Sequence, residues 1–174
     1  IYKALTNSYN PPAVRVLKLQ QDDDGTFSTV LNFARDTLKL SSLQDDDKNG
    51  LAPLSLGALS KGVTVLEMTR AFSVYANKGT FTDSRSYTRV ESYSGKNVLQ
   101  KDVSKQSVYS EQTAYLMTYI LENVVAETYF GRAAKVYGVE TAGKTGTTSF
   151  YNDRWFIGYT PYYLAGIWWG YDYN

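Results

Sequence analysis

Ala142-Gly143-Lys144-Thr145-Gly146-Thr147-Thr148 sets one cation among small residues and hydroxyls, directly ahead of a run of strand formers. A Lys-Thr-Gly triplet arises by accident in a chain of this length on the order of once in fifty, so its company decides what it means. The bland explanation is a solvent-facing lysine that guards an edge strand against aggregation. A functional explanation accounts for more positions. Gly146 lacks a side chain and lets another backbone approach the strand, so an extended peptide could add alongside. Thr145 and Thr147 are two apart and share one face of that strand. With the Lys144 ammonium nearby they could hold a carboxylate or a developing oxyanion.

Outward from this stretch, composition narrows the chemistry. The 174 residues suit one domain or a large part of one, and 43% hydrophobic with 20% charged is an ordinary globular balance. Net charge is +1, which gives no electrostatic case for a nucleic-acid partner. The chain contains neither cysteine nor histidine. Disulfides, thiolate metal sites, His-ligated zinc and Ser-His-Asp chemistry are therefore excluded. Any catalysis near neutral pH falls to lysine, carboxylates and hydroxyls, and no cofactor or metal is implied. The sixteen tyrosines read first as strand packing and half-exposed faces rather than a carbohydrate platform. The longest apolar run, Leu164 to Gly170, is too short to span a bilayer. No signal peptide is visible and Ile1 is not a natural start, so the chain reads as a piece of something longer.

Local signals order the rest. Asn10-Pro11-Pro12 reads as a cap followed by prolines in a helix's first turn. Phe27, Val30, Leu31, Ala34 and Leu38 recur at helical spacing, and residues 41 to 50 form a polar loop. Thr64 and Glu67 make a capping box for a helix whose apolar face holds Leu66, Met68, Ala71, Phe72 and Tyr75, with Gly79 ending it. A hairpin is expected around Ser94-Gly95-Lys96-Asn97, and an amphipathic helix after Ser110. From Glu140 the pattern turns to strands over 141–148, 154–160 and 163–171. Helices over about 1–135 and a terminal antiparallel meander over about 140–172 read together as α+β. The acidic triplet Asp45-Asp46-Asp47 starts like an EF-hand loop, but position twelve is Leu56 in place of glutamate, so a solvated loop is expected. Ser8-Tyr9-Asn10 is a Ser-x-Asn, a pattern that chance supplies in roughly one of two chains this size.

Three longer stretches add context. Leu54-Ser55-Leu56-Gly57-Ala58-Leu59 with Gly62-Val63-Thr64-Val65-Leu66-Glu67-Met68 resembles the transpeptidase domain of class A penicillin-binding proteins. So does Asp153-Arg154-Trp155-Phe156-Ile157-Gly158-Tyr159-Thr160-Pro161, and Ala4 to Asn10 resembles the setting of that family's second motif. The resemblance covers nearly the whole chain in order. It implies a penicillin-binding-protein-like fold, incomplete here, with an antiparallel sheet flanked by helices. It also implies peptidoglycan stem peptides and β-lactams as ligands, and a place on the extracytoplasmic face of the bacterial membrane, reached only through a parent's anchor. Carried over residue by residue, Ser8 would relay a proton and Asn10 would bond the substrate amide. Lys144 would supply positive potential, Thr145 and Thr147 would bind the terminal carboxylate, and Gly146 would admit the substrate backbone.

The family's first motif, Ser-x-x-Lys, is missing, because no serine of the chain has lysine three positions later. The nucleophile-bearing segment is therefore expected upstream of residue 1, as a partner within the same domain. Phe130-Gly131-Arg132 departs from the small residues usual after that glycine. Two alternatives stand beside the transpeptidase: a non-catalytic sensor module of the same fold, and a serine β-lactamase, for which Glu67 and Glu122 lack the expected surroundings.

Overall fold

The computed structural model describes residues 1–171. Helices α1 (Tyr2–Thr6), α2 (Asn10–Lys18), α3 (Ser28–Asn32), α4 (Leu51–Leu56), α5 (Val65–Ala76), α6 (Glu111–Glu127) and α7 (Tyr129–Arg132) surround three small antiparallel sheets. Strands β1 (Thr80–Thr82) and β4 (Lys105–Ser107) pair, as do β2 (Arg89–Glu91) and β3 (Asn97–Gln100). The terminal sheet has order β5-β6-β7, from Ala142–Thr147, Asp153–Tyr159 and Leu164–Gly170. This is the α+β arrangement that the sequence implied.

Period-2 alternation divides the residues of that sheet between two faces. Lys144, Ile157 and Gly166 are cross-strand neighbours on the inner face. There α5 and α6 cover the sheet, and Leu121, Val124, Ala142 and Tyr159 form a buried cluster. A second cluster of Leu31, Leu40, Leu43 and Ala71 holds α3 and its following turns against α5. On the outer face Thr147, Arg154 and Trp169 stand in one row. Among the described residues β5 pairs only with β6, so its other edge is open.

The best local signals hold in three dimensions. Thr64 accepts from Glu67 N while the Glu67 carboxylate reaches back to Thr64 N, and Ser110 caps α6 by accepting from Thr113 N. Several expectations need correction. Asn10 is the first residue of α2 rather than its cap; Tyr9 precedes the helix and offers no side-chain bond. The second helix shifts to π geometry over Phe33–Thr37. Leu66 is 61% exposed, because its helical position points off the packed stripe. Strands β1 and β4 carried no periodic signal, being three residues each.

Residues 45–49 form a 3₁₀ turn, and Asp47 within it is buried, not solvated. Its carboxylate accepts from Gln44 N, Ser60 N and Ser60 Oγ. Phe130-Gly131-Arg132 lies in the single-turn α7, where a side chain at Gly131 would sit 2.1 Å from the Val124 carbonyl.

Candidate functional site

Ser8 and Lys144 meet. The Lys144 Nζ donates to Ser8 Oγ at 2.7 Å and to the Thr145 carbonyl at 2.9 Å. Two local features produce this contact. Lys144 occupies an inner-face position of β5, opposite the buried Ile157, so its stem runs beside the core. Ser8 lies in the tight link between α1 and α2, with its amide bonded to Leu5 O and a left-handed φ of 57°. That conformation costs a serine about 1–2 kcal/mol, and here it turns the residue toward the strand. Tyr2 anchors α1 to α6 by donating to Glu127 Oε1 at 3.3 Å.

Burial pushes the Lys144 ammonium below the ordinary lysine value. Among the described residues no carboxylate pairs with it. A cation without an internal counter-ion projects its field outward, toward any anion that enters. It also gives up a proton more readily than a solvated lysine.

The other expected residues lie on the same two segments as this pair. Asn10 is exposed two positions after Ser8, and its side-chain amide has no hydrogen-bond partner among the described residues. Thr145 and Thr147 lie on the face of β5 opposite Lys144, across from Phe156 and Arg154. Neither hydroxyl has a partner among the described residues, so both are free to bond something else. At Gly146 an added Cβ would meet only Trp155 Cβ, at 3.4 Å. Internal packing therefore does not demand glycine there, whereas a chain approaching the open edge of β5 would.

The sequence reading missed what holds the end of this strand. Thr148 Oγ1 donates to Asp153 Oδ2 at 3.0 Å, and its own oxygen accepts from Asp153 N at 2.9 Å. Trp168 Nε1 donates to the other carboxylate oxygen at 2.9 Å. Asp153 thus ties β5, β6 and β7 together. Only the spacing Thr-x₄-Asp across a turn hints at it in one dimension.

Glu67 and Glu122 stand apart from this corner. Burial opposes Glu67 ionisation, but bonds from Ser41, Ser42 and Thr64 hold its carboxyl down at about 2. Burial and the neighbouring Glu140 push Glu122 up. Neither bonds to Ser8 or Lys144. Among the described residues no helix is long and apolar enough to cross a membrane.

A lysine on the strand at the open sheet edge thus faces a serine from the helical layer. Residues 3–167 match the family described as the penicillin-binding protein transpeptidase domain, and the chain belongs to that family. It is 38% identical over 173 residues to penicillin-binding protein 1A of Clostridium botulinum, covering 99% of this chain and 20% of that protein. It is 32% identical over 170 residues to penicillin-binding protein 4 of Bacillus subtilis, covering 97% of this chain and 26% of that protein. The chain therefore spans about a fifth to a quarter of these relatives' length. Its fold matches PonA1 of Mycobacterium tuberculosis in complex with penicillin V, with TM-score 0.77 and 23% identity over 97% of this chain and 46% of that one. Penicillin-binding protein 1A from Haemophilus influenzae matches with TM-score 0.75 and 18% identity over 99% of this chain and 30% of that one.

Proposed function

We propose that the chain forms one wall of a DD-transpeptidase site that cross-links peptidoglycan stem peptides and is acylated by β-lactams. A serine hydroxyl adds to the carbonyl of the penultimate D-alanine, the C–N bond breaks, and D-alanine leaves with a proton. An amine of a neighbouring stem then attacks the ester, forming the new amide and returning the serine. That serine belongs to a segment outside these residues, since the Ser-x-x-Lys pattern does not occur in them.

Within this reading Ser8 passes the proton to the departing nitrogen, and Lys144 supplies positive potential and takes part in the transfer. Asn10 bonds the substrate amide. Thr145 and Thr147 bind the terminal carboxylate, and the Thr147 N–H contributes to the oxyanion hole. Gly146 leaves room for the substrate strand. The reaction belongs to the extracytoplasmic face of the membrane, where the polymer lies. The observation that carries the proposal is the 2.7 Å bond between Lys144 Nζ and Ser8 Oγ.

The test is labelling of the intact protein with a fluorescent penicillin. Covalent labelling that falls in Lys144 and Ser8 variants supports the transpeptidase. An intact, folded protein that takes no label would instead be a non-catalytic module, and steady hydrolysis of nitrocefin would make it a β-lactamase.

A further inference from the structure

Building on the transpeptidase reading, we propose that Asp153 is a positioning residue for the acyl-transfer step. It acts through Thr148 and fixes the direction in which the Thr147 N–H points.

Thr148 and Asp153 face each other across the β5–β6 turn and share three bonds. Thr148 N donates to the Asp153 carbonyl at 3.1 Å. Asp153 N donates to Thr148 Oγ1 at 2.9 Å, and that hydroxyl donates to Asp153 Oδ2 at 3.0 Å. An antiparallel pair of this kind ordinarily exchanges two backbone bonds. Here the Thr148 carbonyl accepts instead from Tyr151 N at 3.1 Å, and the Thr148 hydroxyl takes its place opposite Asp153 N. The turn needs that support, because Phe150 and Tyr151 are consecutive left-handed residues with φ of 59° and 61°, a conformation that crowds any Cβ. Asp153 is held in turn from β7, where Trp168 Nε1 donates to Oδ1 at 2.9 Å. An ionised carboxylate only accepts, so the Thr148 hydroxyl hydrogen is committed to Oδ2 and its lone pairs face Asp153 N.

This arrangement also orients the residue before it. Thr148 is extended, with φ of −83° and ψ of 167°, and successive N–H groups of an extended strand point to opposite edges. With the Thr148 N–H turned toward β6, the Thr147 N–H is turned to the other edge of β5, where the proposed substrate strand approaches. A donor stabilises a developing oxyanion best when its direction is set before the substrate arrives. A misplacement of about 1 Å can cost on the order of 10²-fold in rate. Thr147 ends its strand, and strand ends open first unless something ties them.

The intact protein is mixed with a fluorescent penicillin at several concentrations, which separates the first-order acylation step from the dissociation constant of the preceding complex. Thr148→Val keeps the branched shape and loses the hydroxyl. It is expected to slow the first-order step about tenfold or more while the dissociation constant moves by less than about threefold. The fraction labelled at completion stays at the wild-type value, and Thr148→Ser restores the rate. Asp153→Ala slows the step at least as much, and its combination with Thr148→Val is no slower than Asp153→Ala alone, because one shared interaction is lost. Thermal melts check the fold, and the Thr148→Val and Thr148→Ser pair carries the comparison if Asp153→Ala does not fold. An unchanged first-order step, a loss confined to the labelled fraction, no rescue by serine, or effects that multiply in the double variant overturns the positioning role. Wild-type protein that takes no label overturns the transpeptidase reading itself, so the two failures are told apart.

Discussion

Ser8 and Lys144 lie 136 positions apart in the chain and 2.7 Å apart in space. Two polar groups from distant segments meet so closely only when the intervening helices and strands are held rigidly. The bond is charge-assisted, which strengthens it relative to a bond between neutral groups.

Removing the cation should damage acyl transfer more than it damages the fold. Lys144→Met in the intact protein is expected to lower the second-order rate of penicillin acylation by about 10²-fold or more. The same variant should melt at or above the wild-type temperature at neutral pH, because a partly buried, unpaired cation is lost. Lys144→Arg should not restore the rate, since a planar guanidinium neither fits the corner nor releases a proton.

The pH dependence follows from the direction of the Lys144 shift. Burial places its folded pKa below the 10.5 of free lysine. Between those two values the unfolded chain binds the proton and the folded chain does not, so this group's contribution to stability rises with pH there. Acylation rates measured against pH should show an alkaline change below 10.5 that disappears in Lys144→Met. An identical alkaline profile in both proteins would contradict a role for this amine in proton transfer.

Glu67 makes the opposite prediction at low pH. Its carboxyl is held near 2 by hydroxyl and amide donors from Ser41, Ser42 and Thr64. The stability it supplies is complete above the ordinary glutamate range and is lost as pH falls toward 2. Glu67→Ala strands those donors, so urea unfolding near neutral pH should show a loss of roughly 2–4 kcal/mol. Glu67→Gln should flatten the acid limb of the stability profile.

Two glycines should respond differently to alanine. Gly131→Ala drives a methyl group to 2.1 Å from the Val124 carbonyl oxygen, and a fall in stability of about 1–3 kcal/mol is expected by thermal melting. At Gly146 the new methyl meets only Trp155 Cβ at 3.4 Å. That variant should fold nearly as well as wild type and yet react with penicillin at least about tenfold more slowly, a loss of about 1.4 kcal/mol in the barrier. Unchanged acylation in folded Gly146→Ala would remove the argument that a substrate strand approaches there.

Much of the architecture is legible in one dimension because its causes are local. The Thr64/Glu67 box, the Ser110 cap and the alternation along β5, β6 and β7 involve residues a few positions apart. Leu66 shows the limit of such reading: helical spacing alone does not say how wide the packed stripe is, and this leucine falls outside it. Asp47 shows another, since its burial depends on Ser60 amide and hydroxyl donors thirteen residues away.

The candidate site divides along the same line. The residue types and order of Lys144-Thr145-Gly146-Thr147 and Ser8-Tyr9-Asn10 are properties of the sequence, and so is membership of the family. That Lys144 points inward to Ser8 while Thr145 and Thr147 occupy the other face, and that Asp153 locks the strand's end, was decided by packing. Periodicity sets which neighbours share a face, but only burial against α5 and α6 determines which face is the inside.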